Sequence, residues 1–179
     1  NLLEINQIID INEPVYLGFQ QWYQKRLHFL SVSSDINFIP ENIGDLISLK
    51  GLDFFGNQIT YLPESIENLS NLQLLGLSSN QIGGEIPTWI GNLTNLNQLY
   101  LSDNQFIGTI PSEIGNLSNL EWLWLPNNQL TGEISEEVCN INGDVNLNNN
   151  QFCPPYPECL SEDQIGYQDT TNCSSMSIS

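Results

Sequence analysis

Leu96-Asn97-Gln98-Leu99-Tyr100-Leu101-Ser102-Asp103-Asn104 is one of five copies of a single pattern, a Leu, apolar residues three and five places on, and an Asn at the eighth. The copies start at Leu27, Leu49, Leu72, Leu96 and Leu120, each 22 to 24 residues after the last, and a degenerate sixth turn begins at Asn142. The third position is Leu30, Leu52, Leu75, Leu99 and Leu123, and the fifth is Val32, Phe54, Leu77, Leu101 and Leu125. The eighth is Asn57, Asn80, Asn104, Asn128 and Asn150, with Asp35 in the first turn. A repeat of this length is a unit that cannot bury its apolar face alone, so neighbouring copies must stack into a solenoid with one continuous core.

Within each copy the short apolar alternation reads as a strand, and equivalent strands stack in parallel into one sheet on the concave side. The asparagines stand where the chain turns a buried corner. Their amides can donate and accept between neighbouring turns, which makes Asn57, Asn80, Asn104, Asn128 and Asn150 a structural ladder. On the far side, pairs such as Ile43 and Leu46, Ile90 and Leu93, and Ile114 and Leu117 suit short 3₁₀ turns packed inward.

These motifs resemble the leucine-rich repeat family over roughly residues 27–152. The resemblance implies an α/β solenoid: a horseshoe with a concave parallel β-sheet, short convex 3₁₀ or helical turns, an N-terminal helical cap and a disulfide-closed C-terminal cap. Gly84-Glu85-Ile86-Pro87 and Gly108-Thr109-Ile110-Pro111 are similar to the Gly-x-Ile-Pro variety common in plant receptors, which carries a second short strand there. The first two turns lack the Gly, so a mixed solenoid is implied. The N-terminal cysteine pair usual in plant receptors is not present, and the short early turns, the apolar N-terminal segment ending near Trp22 and the Cys153-Pro154-Pro155-Tyr156-Pro157 ending look more like secreted leucine-rich repeat proteins of aquatic bacteria.

The expected organisation is an N-terminal cap at 1–26, repeats at 27–152, a Cys-rich cap at 153–173 and a tail at 174–179. In the first cap, Leu2 to Ile9 recur at helical spacing before Pro14, and Leu17, Phe19 and Trp22 can cover the open edge of the first repeat. The start at Asn1 reads as that of a processed product. All four cysteines, Cys139, Cys153, Cys159 and Cys173, fall in the last 41 residues. That clustering reads as two disulfides and an oxidising, extracellular or cell-surface setting, with a four-thiolate zinc site as the alternative. The family resemblance implies Cys153 with Cys159 and Cys139 with Cys173.

Three Lys and Arg stand against 21 Asp and Glu, a net charge of -18, so no basic patch exists to displace counterions from a nucleic acid. No apolar run is long enough to insert in a bilayer. His28, the one histidine, lies on the flank of the first strand, and no nucleophile, zinc or phosphate-loop motif occurs. The chain therefore reads as a non-enzyme with no cofactor and no metal.

What remains is the outward face of the concave sheet. Tyr100, Trp122 and Trp124 fall on adjoining strands, and exposed aromatics grouped in this way mark recognition surfaces. Gln98, Asp103, Asn127, Asp144 and Asn146 form a polar rim, with Asp53 and Phe55 in the second turn. A protein or peptide ligand is the leading expectation. A glycan stacked on the tryptophans and a structural or adhesive spacer role are the alternatives.

Overall fold

The computed structural model describes the backbone of residues 17–23, 26–33 and 35–173, with side chains at 27–33 and 35–173. The helical reading of Leu2 to Ile9, the side chain of Trp22 and the tail lie outside the described residues. One sheet has seven strands: β1 (Leu17–Tyr23), β2 (Arg26–Val32), β3 (Gly51–Asp53), β4 (Leu74–Gly76), β6 (Gln98–Tyr100), β8 (Trp122–Trp124) and β10 (Asp144–Asn146), in that spatial order. From β2 onward they run parallel and in constant register, Leu30, Leu52, Leu75, Leu99, Leu123 and Val145 standing side by side and buried. Beneath them the next inward column, Val32, Phe54, Leu77, Leu101, Leu125 and Leu147, is also buried. Each of these side chains contacts the turns before and after it, so a methylene lost anywhere leaves a void shared by neighbours.

Residues 17–23, expected to cover the open edge of the first repeat, form a strand. β1 pairs antiparallel with β2, Leu17 opposite Val32 and Trp22 opposite Leu27. The first parallel strand thus has its outer backbone groups paired, and β1 takes its place as the edge of the sheet.

A second sheet of four strands, β5 (Gly83–Glu85), β7 (Gln105–Gly108), β9 (Gln129–Gly132) and β11 (Gln151–Phe152), begins only in the third turn. Gly84, Gly108 and Gly132 have φ of 83°, 74° and 77°, values that an L side chain rarely adopts. The first two turns carry no glycine at this place, and no second strand forms there. Five 3₁₀ turns, Glu41–Asp45, Glu64–Asn68, Thr88–Asn92, Ser112–Asn116 and Glu136–Asn140, close the convex side, the first four each following a proline that presets φ.

The corner asparagines make the same bonds in every turn. Asn104 donates to the carbonyls of Leu77 (2.9 Å) in the preceding turn and Leu101 (3.2 Å) in its own, and accepts from the Ile82 N–H (3.0 Å). Asn57, Asn80, Asn128 and Asn150 repeat this, with Ile36, Ile59, Phe106 and Leu130 as the backbone donors. Asp35 departs from the series: it is exposed, with φ of 51°, the conformation that later turns give to the residue before the ladder Asn. After Asn150 the place of a further rung is filled by Gln168, which accepts from the Phe152 N–H (3.1 Å) and donates to the Leu147 carbonyl (2.9 Å). A short helix, α1 (Glu162–Ile165), opened by a Ser161/Gln164 capping box, delivers this residue.

The cysteines pair otherwise than the family resemblance implied. Cys139 joins Cys159, with Cα atoms 5.8 Å apart, and Cys153 joins Cys173 at 5.5 Å. Cys153 extends the second sheet, its N–H donating to the Gly132 carbonyl (2.8 Å). The proline-rich segment after it carries Cys159 across to the convex 3₁₀ turn that bears Cys139. A 153–159 bridge would close the segment on itself and leave the 139–173 bridge alone to tie the cap to the repeats. As built, both bridges tie the cap to the last turns.

Candidate functional site

Alternation within the concave strands points Leu52, Leu75, Leu99 and Leu123 into the core and their neighbours outward. At the second outward position of successive turns stand Asp53, Gly76, Tyr100 and Trp124, paired in register across β3, β4, β6 and β8. Gly76 has no side chain to fill its rung, and a depression of about 420 Å³ lies above it. Its lining is Asp53, Phe55, Leu74, Gly76, Ser78, Tyr100, Ser102, Asp103 and Trp124.

The walls are held by directed bonds. Trp124 is 38% exposed, so its ring presents a face to solvent, and its Nε1–H donates to the Asp144 carboxylate (3.0 Å). The Tyr100 ring meets Trp124 edge-on, centroids 5.5 Å apart at 73°, and the Tyr100 hydroxyl donates to Gln98 Oε1 (3.2 Å). Burial, followed by the negative charge of Asp144, pushes the Tyr100 phenol above its ordinary pKa, so it remains a neutral donor. Asp53 Oδ1 accepts from the Phe55 N–H (3.1 Å) and Oδ2 from the Ser31 hydroxyl (3.4 Å). Asp103 accepts from the Asn127 amide (2.7 Å), and Asn127 in turn accepts from Asn149 (2.8 Å). These last three residues have φ of 55°, 58° and 56°, a left-handed backbone that turns their side chains out beside the buried ladder.

Other concavities are chemically plainer. A larger cleft of about 1140 Å³ beside the C-terminal cap is walled by Cys153, Pro154, Gly132 and Thr109, with Glu133 as its one charged group. Among the described residues no group of three His, Cys, Asp or Glu could hold a metal ion, and no helix is long and apolar enough to cross a membrane.

The sequence model for a leucine-rich repeat region matches residues 26–147. The chain belongs to the leucine-rich repeat family. No match was found among curated proteins. Among solved structures, this leucine-rich repeat protein is similar to a plant ice-binding protein at 29% identity and a TM-score of 0.70, over 84% of this chain and 55% of that one. It is similar to the plant peptide hormone receptor RGFR1, solved in complex with RGF2, at 33% identity and a TM-score of 0.72, over 76% of this chain and 22% of that one. A chain of the BIR3–SERK2 complex from Arabidopsis thaliana matches at 30% identity and a TM-score of 0.68, over 87% of this chain and 91% of that one. The protein thus spans about half of the ice-binding protein and about a fifth of the hormone receptor.

In this leucine-rich repeat protein Asp53, Phe55, Tyr100, Asp103 and Trp124 come together around the depression. Trp122, Gln98 and Asp144 do not line it. Trp122 stands half-buried between Gln98 and Asp144 in the next outward file, and Gln98 and Asp144 act behind the wall as partners of Tyr100 and Trp124. Sequence reasoning missed Leu74, Gly76, Ser78 and Ser102 as site residues. The signal was present: glycine in a column whose neighbours are Asp53 and Tyr100.

Proposed function

We propose that the protein is a non-enzymatic, extracellular recognition module whose concave face binds a protein or peptide. The observation that supports this is the aromatic wall of Trp124, Tyr100 and Phe55, held open beside Gly76 by bonds that the core does not need. Exposed, immobilised aromatics contribute large contact area at small entropic cost. Phe55 is 59% exposed, which has a cost in water and a use at an interface. The hormone receptor and the BIR3–SERK2 pair are themselves seen in complexes with a ligand or partner, which agrees with such a role. Two disulfides suit an oxidising compartment. The short early turns and the Cys153-Pro154-Pro155-Tyr156-Pro157 ending favour a secreted protein of an aquatic bacterium over a plant receptor.

An ice-binding reading gains nothing from the second sheet, whose in-register exposed positions Glu85, Ile107 and Gln129 form no file of threonines. The test is panning of a displayed random dodecapeptide library on the native protein and on a Phe55→Ala/Trp124→Ala variant. We expect peptides that bind the native protein at least about thirtyfold more tightly, the scale of a lost interface anchor. Equal capture by both proteins, or signal on a glycan array with no peptide recovered, would overturn the reading.

A further inference from the structure

Parallel strands stand about 4.8 Å apart, so the missing side chain at Gly76 opens roughly 9 to 10 Å between the Asp53 and Tyr100 rungs. The gap is bordered by a carboxylate on one side and aromatic rings on the other. A Cβ placed on Gly76 would come within 2.6 Å of Asp53 Oδ1, which shows that this carboxylate leans over the glycine. Phe55 and Asp103 complete the border, and no basic residue lines it. Building on the reading of the concave face as a peptide-binding surface, we infer that the notch over Gly76 takes the side chain of an arginine, guanidinium between the Asp53 and Asp103 carboxylates and the faces of Tyr100 and Trp124.

Three features favour that chemistry over the alternatives. Both carboxylates are already oriented, Asp53 by Ser31 and the Phe55 N–H, Asp103 by the Asn127 amide, and each oxygen can still accept from a ligand. A planar guanidinium can meet a carboxylate with paired N–H donors while stacking on an aromatic face, which an ammonium cannot do. The net charge of -18 draws cationic ligands from a distance. An anionic side chain would face two carboxylates, and an apolar one would strip them of water without giving them a partner. A bare metal ion does not suit a notch whose exposed walls are mostly apolar, with Phe55, Leu74, Tyr100 and Trp124 among them.

The test uses peptides recovered from the dodecapeptide library, synthesised with each arginine replaced in turn by citrulline, which keeps the shape and removes the charge. Binding is read by fluorescence polarisation on the native protein and on Asp53→Asn and Asp103→Asn variants whose thermal unfolding matches the native. We expect one arginine in each peptide whose replacement weakens binding about tenfold or more, with the difference falling to about twofold or less in the doubly substituted protein. Should the Asp53 variant fail to fold, exposed Asp103 alone gives the same reading, since its substitution must then reduce the arginine preference. Peptides that depend on Phe55 and Trp124 yet lack a required arginine would overturn this inference and leave the peptide-binding reading standing. Peptides indifferent to Phe55 and Trp124 would overturn both.

Discussion

Asn104 and Asp103 are adjacent in the chain and belong to different ladders. The inner ladder, Asn57 to Asn150, is buried, and each amide satisfies backbone groups of two turns that water cannot reach. The outer ladder, Asn149 to Asn127 to Asp103, is exposed, bonds side chain to side chain, and ends on a carboxylate at the notch. Both use the same turn geometry. The contrast shows how a repeat separates holding the coil from presenting a surface: one residue along the chain moves a side chain from obligatory backbone partner to adjustable surface group. Substitutions in the two ladders should therefore differ in kind.

The largest effect is expected at the inner ladder. Asn104→Ala leaves the Ile82 N–H buried without a partner, at about 1–3 kcal/mol, and takes one of two amide donors from each of the Leu77 and Leu101 carbonyls, at about 0.5–1.5 kcal/mol each, so the unfolding free energy in urea should fall by roughly 3 kcal/mol or more. Next in size is the cap. Replacing Cys153 and Cys173 by Ser frees a closed segment of 20 residues and should cost about 2–4 kcal/mol, measured by the same unfolding curve. Loss of cooperativity at the C-terminal end first, followed by hydrogen exchange, would locate the damage to the rungs nearest Gln168.

Trp124→Ala reverses the pattern. It removes one side-chain hydrogen bond and one edge contact from a partly exposed ring, so stability should fall by about 1 kcal/mol or less, while peptide affinity should fall by about 2 kcal/mol or more. Asn127→Ala in the outer ladder is gentler still. Stability should change by at most about 0.5 kcal/mol, and only the preference for a cationic ligand should weaken, because Asp103 loses its orienting donor.

The smallest effect is set by acid. Bonds from the Thr171 hydroxyl and N–H hold the exposed Asp169 carboxyl below its ordinary pKa of 3.8. Its folded-state value is thus lower than its unfolded one, so its contribution is complete above pH 3.8 and disappears as pH falls through the depressed value. A titration of the cap by NMR should show no loss there between pH 7 and pH 5, and loosening only under more acid conditions.

The sequence made the columns legible because they repeat: Leu99 and Asn104 recur with their environments, and a period of 22 to 24 residues leaves one way to stack them. What does not repeat was not legible in the same way. The disulfide pairing depends on where the segment after Cys153 travels, and spacing alone admits three connectivities. Asp35 matched the count but not the corner, since the first turn has no preceding rung to demand a buried amide. The notch itself is the absence of a side chain at Gly76, visible only once Asp53, Gly76 and Tyr100 are read across turns and not along one. The outer ladder was hidden for another reason: it depends on left-handed φ at Asp103, Asn127 and Asn149, which composition does not announce.

The most direct test of the division between buried columns and presented surface is a crystal structure of the protein with one of the captured peptides. The account predicts the peptide lying across β3, β4, β6 and β8 with a side chain over Gly76, against Trp124 and Tyr100, and the inner asparagines unmoved. A peptide seated on the second sheet or in the cleft beside the cap, with the Gly76 depression empty, would contradict it.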